Sequence, residues 1–95
     1  MHLFPIFVNL AGKSCLVIGG GQVAERKVHD LLNYDANIRV ISPEAGENIR
    51  QWFSQGLIDW QAREFITSDL DHIFMVFVAT NDIVVNRGIV GQCRQ

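Results

Sequence analysis

The sequence predicts an α/β fold, a parallel sheet with helices packed against it. Three observations point there. Short, partly β-branched apolar runs alternate with segments of helical periodicity. The first such run ends in three consecutive glycines, at 19–21. The run "HIFMVFVAT" at 72–80 is apolar almost throughout, as in a central strand covered on both faces.

Each element has its own signal. "SCLVI" at 14–18 is short and bounded by Gly12 and Gly19, which reads as a buried strand. Val23/Ala24, Val28 and Leu31/Leu32 then recur at helical spacing, giving an amphipathic helix over about 22–33. Glu25, Arg26, Lys27, His29 and Asp30 fall mostly on its other sides and read as a solvated face. "NIRVIS" at 37–42 is a second strand, ended by Ser42-Pro43. Ile49, Trp52 and Phe53 place a second helix over 44–54, stopped near Gly56. A short strand is expected within 57–65, the apolar strand at 72–80, and a last helix over 82–94. Gly88 and Gly91 weigh against that last helix, each costing about 1 kcal/mol relative to Ala.

Strand, helix, strand, helix, short strand, strand, helix implies parallel strands with right-handed crossovers. This is one mononucleotide-binding half of a doubly wound, Rossmann-like sheet. An order that ends in a helix reads as the N-terminal part of a larger domain. The 95 residues, 48% of them hydrophobic, fit one domain spanning 1–95.

Charge and cysteines narrow the function. A net charge of −2 without clustered Lys or Arg argues against a nucleic-acid backbone binder. The opening "MHLFPIFVNL" lacks a basic n-region and a small-residue cleavage site, and Pro5 interrupts it, so no signal peptide is expected. No run approaches the ~18 apolar residues of a membrane span. Cys15 and Cys93 form no C-x-x-C pair. Cys15 reads as a small buried hydrophobe, and a reducing cytoplasm is the simplest compartment.

The glycines carry the chemistry. Gly19-Gly20-Gly21-Gln22-Val23-Ala24 fits G-x-G-x-x-A between a strand and a helix. Gly19 permits the tight turn, Gly21 lets a pyrophosphate approach the backbone, and Ala24 lets the helix pack closely. The helix start adds unpaired N–H groups and a positive dipole end for the anion. An acid about twenty residues on should hold the adenosine ribose. Ser42 stands at the strand end, and Glu44 close by fits two roles equally, ribose ligand or first-turn helix carboxylate. No Arg follows the strand directly to meet a 2′-phosphate, which favours NAD over NADP. At the last strand end, Thr80 is placed to line the nucleotide cleft, and Asp82 suits a helix N-cap.

Other motifs fail. Gly12-Lys13-Ser14 looks like the tail of a P-loop, but Phe7 stands where its first glycine belongs and a strand follows instead of a helix. No G-x-S-x-G elbow surrounds Ser14. His2, His29 and His72 lack metal-ligand spacing. Asp69 and Asp71 read as loop carboxylates.

The stretches "FPIFVNLAGKSCLVIGGGQVAERKVHDLL", "SPE" and "VFVATNDIVVN" closely resemble the N-terminal module of siroheme synthase, the precorrin-2 dehydrogenase/sirohydrochlorin ferrochelatase family. The diagnostic parts are the "FPIF-N-L" opening, the "GGGQVAERK" run, and Ala79, Thr80, Asp82, Val85 and Asn86. The resemblance implies an enzyme in which NAD⁺ accepts hydride from precorrin-2 to give sirohydrochlorin. It also implies Fe²⁺ insertion to siroheme and a homodimeric parent in the cytoplasm. It places NAD contacts on Gln22, Val23, Pro43 and Glu44. The family's catalytic aspartate belongs to an "N-V-V-D" strand end beyond Gln95, so no residue of this chain is assigned a catalytic role. "YDAN" at 34–37 lacks the glycine often found in that turn, and Asp35 can replace it if it adopts a left-handed conformation. Two other readings fit the same half-fold. One is a non-catalytic NAD(H)- or nucleotide-sensing module, which carries an acid where Ser42 stands. The other is an S-adenosylmethionine site built on the glycine turn.

Overall fold

The computed structural model describes residues 9–79, 83–86 and 90–92. Its order is β1 (Ser14–Ile18), α1 (Gln22–Leu32), β2 (Asn37–Ile41), α2 (Glu47–Ser54), β3 (Asp59–Gln61), β4 (Met75–Val78), β5 (Ile83–Asn86) and β6 (Val90–Gln92). A 3₁₀ turn over Thr67–Leu70 precedes β4. The strands form one sheet in the order β3-β2-β1-β4-β5-β6. The first four are parallel, with Val17 level with Val40 on one side and with Phe77 on the other.

Alternation along the strands assigns the two faces of the sheet. Cys15 and Val17 of β1 and Ile38 and Val40 of β2 share a core with Ala24, Val28 and Leu31 of α1 and Ile49 of α2. The intervening residues Leu16 and Ile41 form a second cluster with Ile73 and Val76. Both helices therefore pack on one face. Among the described residues, the largest fully buried side chains are Leu16, Ile41, Ile49, Val17, Val28, Val40 and Cys15. Each large aliphatic group among them contributes roughly 1.5–3 kcal/mol to the fold. Cys15 is among them, and burial pushes its thiol pKa up. It is a free cysteine, as expected of a small hydrophobe, while Cys93 lies outside the described residues.

Several expected boundaries shift. The second helix begins at Glu47 rather than 44, with Gly46 as its N-cap. Phe53 does not enter the core. It is 43% exposed and sets its ring edge-on to Trp60, with centroids 5.9 Å apart. Val23 is likewise exposed, so the buried stripe of α1 runs through Ala24, Val28 and Leu31. The largest correction concerns the last helix. Residues 83–86 and 90–92 are strands, β5 antiparallel to β4 and β6 antiparallel to β5. The β-branched run Ile83-Val84-Val85 favours extended backbone, and Gly88 and Gly91 penalise a helix at its middle. Pairing also satisfies the open edge of β4, which a helix would have left bare.

Asp35 adopts φ +58°, the left-handed conformation anticipated for it. Its carbonyl accepts the Gly12 N–H at 3.0 Å, which ties the α1–β2 turn to the entry of β1. Asp35→Gly should leave stability within about 1 kcal/mol. Asp35→Val should lose roughly 1–2 kcal/mol, because a β-branched side chain resists that backbone. Urea unfolding of the two variants checks this.

The segment between β3 and β4 is pinned by a charge pair. Asp69, read from the sequence as a loop carboxylate, is 7% exposed and takes two bonds from Arg63, at 2.9 and 2.5 Å. It also accepts the Ile66 N–H at 2.8 Å. The Arg63 bond leads in holding its carboxyl down at about 2, from an ordinary 3.8. A carboxylate lowered on folding stabilises the fold above its unfolded pKa and loses that contribution as it is protonated. Stability should therefore fall as pH drops from about 4 towards 2. Asp69→Asn should remove that part of the acid dependence and cost roughly 1–3 kcal/mol at neutral pH. A pH series of denaturant midpoints reads both effects.

Candidate cofactor site

The site lies at the carboxyl ends of β1 and β2, where ligands of open α/β sheets bind. β1 runs into Gly19, whose φ of +124° is one that L side chains rarely adopt. Its N–H donates to the Ile41 carbonyl at 3.0 Å, which carries the β1–β2 ladder into the turn. Gly20 has no freedom to be anything larger. A Cβ there would stand 2.0 Å from the Glu44 carbonyl oxygen and 2.9 Å from Ser42 Oγ. Its own carbonyl accepts the Gly46 N–H at 2.9 Å. Gly21 is the opposite case. It is exposed, and a Cβ there would meet no described atom within 4 Å.

Gly21 is also the N-cap of α1 and supplies no side-chain hydrogen bond to the first turn. The N–H groups at that end are thus left for an anion, with the dipole behind them. The start of α2 is different. The Glu25 carboxylate, on α1, accepts the Asn48 backbone N–H at 3.2 Å and caps α2 from outside. The same carboxylate lies over Gly46, where a Cβ would come 2.3 Å from it. Two helix starts sit side by side; one is filled from within the chain, and no side chain among the described residues caps the other.

The second strand end is built around Ser42. It is buried, and its hydroxyl donates to the Glu44 carbonyl at 2.6 Å. Its N–H donates to the Gln61 carbonyl, and its own carbonyl accepts Trp60 Nε1–H at 3.1 Å. Pro43 and Glu44 are exposed on the turn so fixed. Since α2 begins at Glu47, Glu44 lies outside the helix, and its carboxylate is not the first-turn helix carboxylate that the sequence also allows.

Of the residues expected to bind cofactor, Gly19, Gly21, Gln22 and Val23 form one continuous lip, and Pro43 and Glu44 form the facing turn. Thr80 and the Asp82 cap lie outside the described residues. Sequence reasoning missed Gly20, Glu25 and Trp60. The third glycine in a row was a signal for the first, since G-x-G needs only two. The sequence reads Glu25 as part of a solvated face, because nothing in one sequence shows a side chain reaching another helix.

A cleft of about 350 Å³ lies at the other end of the sheet, lined by Ser14, Asn37, Arg39, Asp59 and His72 among others. Its Arg39 is bonded to Asp59 at 2.8 Å. It lies at the amino ends of the strands, away from the glycine turn. Among the described residues no group of three His, Cys, Asp or Glu side chains is placed to hold a metal. No helix among them is long and apolar enough to cross a membrane.

Comparison with known proteins agrees with this geometry. A family model described as NAD(P)-binding matches residues 6–95. A siroheme synthase of Yersinia pestis (strain Pestoides F) is 34% identical over 95 residues, all of this chain and 20% of the relative. The siroheme synthase of Photorhabdus laumondii is 38% identical over 92 residues, 97% of this chain and 20% of the relative. The chain thus spans about a fifth of the length of the curated relatives it matches. The solved structure titled "SirC, precorrin-2 dehydrogenase" superposes with a TM-score of 0.78 at 32% identity, covering 84% of this chain and 40% of that one.

Because Gly20 packs directly against the Glu44 carbonyl, Gly20→Ala should be far more damaging than Gly21→Ala. The first must push the Glu44 carbonyl away and should cost roughly 1–3 kcal/mol, as overpacking does. The second meets open space and should change stability by less than about 1 kcal/mol. Thermal melts of the two single variants make the comparison.

Proposed function

Because the chain belongs to this NAD(P)-binding family, as a siroheme synthase N-terminal module, we propose that it is the NAD-binding part of a dehydrogenase converting precorrin-2 to sirohydrochlorin. The observation that carries the proposal is the bare main chain at Gly21, exposed, with open space where a side chain would stand and no side-chain cap on α1. The residues fit the cofactor. The lip has room for a pyrophosphate against the backbone, and the exposed Glu44 faces no competing cation among the described residues. NAD⁺ held there supplies a hydride acceptor.

The chain's own part is to bind and orient. The N–H groups at the start of α1 take the pyrophosphate charge. Glu44 accepts the ribose hydroxyls and disfavours a 2′-phosphate by like charge, which argues for NAD over NADP. Exposed Val23 offers an apolar contact beside the pyrophosphate. A nucleotide-sensing module would carry its acid directly at the end of β2, where Ser42 is buried and engaged with Glu44. Fe²⁺ insertion by the same parent, and its pairing into a homodimer, are carried by the resemblance alone.

The full-length protein, given precorrin-2 and NAD⁺ without oxygen, should produce NADH absorbance. No NADH from a folded preparation contradicts the dehydrogenase. Gly21→Leu should put side-chain atoms where the pyrophosphate sits and weaken NAD⁺ at least roughly tenfold, about 1.4 kcal/mol, in a protein that still folds. Calorimetric titration of the variant measures it, and unchanged affinity contradicts the placement.

A further inference from the structure

Ser42 stands where this fold class usually places its ribose-holding acid, yet it is buried and its hydroxyl is engaged within the chain. The turn it begins has few other anchors. Pro43 has no N–H to donate. Pro43 and Glu44 are both exposed. Among the described residues, the turn is tied at its start by Ser42 N–H to Gln61 and Trp60 Nε1–H to Ser42, across its middle by the Ser42 hydroxyl to the Glu44 carbonyl, and at its end by Gly46 N–H to Gly20. Trp60 is itself held by the edge of Phe53 and by the Arg50 guanidinium, 6.0 Å from its ring centroid.

Resting on the reading of this site as an NAD site, we infer that Ser42 and Trp60 are positioning residues for the adenosine ribose: the Ser42 hydroxyl and the Trp60 indole fix the Pro43–Glu44 turn so that the Glu44 carboxylate meets the ribose. The acid has moved two residues along the chain, and a buried hydroxyl and an indole from the neighbouring strand hold it in place. This accounts for a buried serine at a ligand-binding strand end. It also accounts for a tryptophan on the short edge strand β3, which otherwise contributes only three residues to the sheet. Neither side chain touches cofactor; both act through Glu44.

The test uses the full-length protein, with NAD⁺ titrated directly and with ADP and inorganic pyrophosphate as competitors. Ser42→Ala should weaken NAD⁺ and ADP by roughly 3- to 10-fold, the effect of one hydrogen bond, and leave pyrophosphate unchanged. Trp60→Phe, which keeps a ring but lacks the donor, should show the same selective loss. Equal weakening of all three ligands would make the two residues merely structural and overturn the inference. Unchanged affinity in both variants would overturn it as well. If Ser42→Ala does not fold, Trp60→Phe decides by the same criteria. Wild-type protein that binds no NAD⁺ would instead remove the underlying cofactor reading, an outcome distinct from either result.

Discussion

The site depends on one contact, the seating of the glycine turn against the turn that follows β2. Two backbone hydrogen bonds make it, from Gly19 N–H to the Ile41 carbonyl and from Gly46 N–H to the Gly20 carbonyl. It is possible only because Gly20 presents no side chain to the Glu44 carbonyl. Net of water, each bond contributes on the order of 1 kcal/mol. Their larger effect is geometric. They join the piece of main chain suited to an anion with the piece that carries a carboxylate, so that the two stand side by side. Pre-set geometry of this kind lowers the ordering cost of binding.

Charge is divided across the same contact. The N-terminus of α2 would attract an anion as readily as that of α1, and the two are neighbours. Glu25 occupies the former and so leaves α1 as the bare positive end. Its carboxylate also fills the space over Gly46 and would have to swing aside if a side chain stood there. One acidic side chain on α1 thereby stabilises the second helix and removes a competing anion position. Farther along, Arg63 and Asp69 hold the β3–β4 connection, and Arg63 Nε also bonds Gln61 at the end of β3. The support behind the turn after β2 thus reaches from β2 through β3 into the following loop.

Much of this was legible in the residues. The limits of β1 follow from its flanking glycines. The buried stripe of α1 follows from Ala24, Val28 and Leu31, and the left-handed Asp35 from a turn that lacks a glycine. The motif located Gly19, Gly21 and the start of α1 because each answers to a local demand of backbone or space. What sequence could not give is contact between segments distant in the chain. Glu25 reaching Asn48, Trp60 reaching Ser42, and Arg63 closing on Asp69 all require the fold before the pairing is visible. The misread helix at 82–94 failed for another reason. Its apolar spacing suited a helix, but its β-branched run and its glycines suited strands, and pairing with β4 decided between them.

The central claim, that the open main chain at Gly21 and the start of α1 receives the pyrophosphate, is tested most directly by following backbone amide resonances as NAD⁺ is added. The account predicts the largest shifts at Gly20, Gly21, Gln22 and Val23, with smaller ones around Glu44. Shifts concentrated instead at Asn37, Arg39, Asp59 and His72, around the cleft at the opposite end of the sheet, would contradict it.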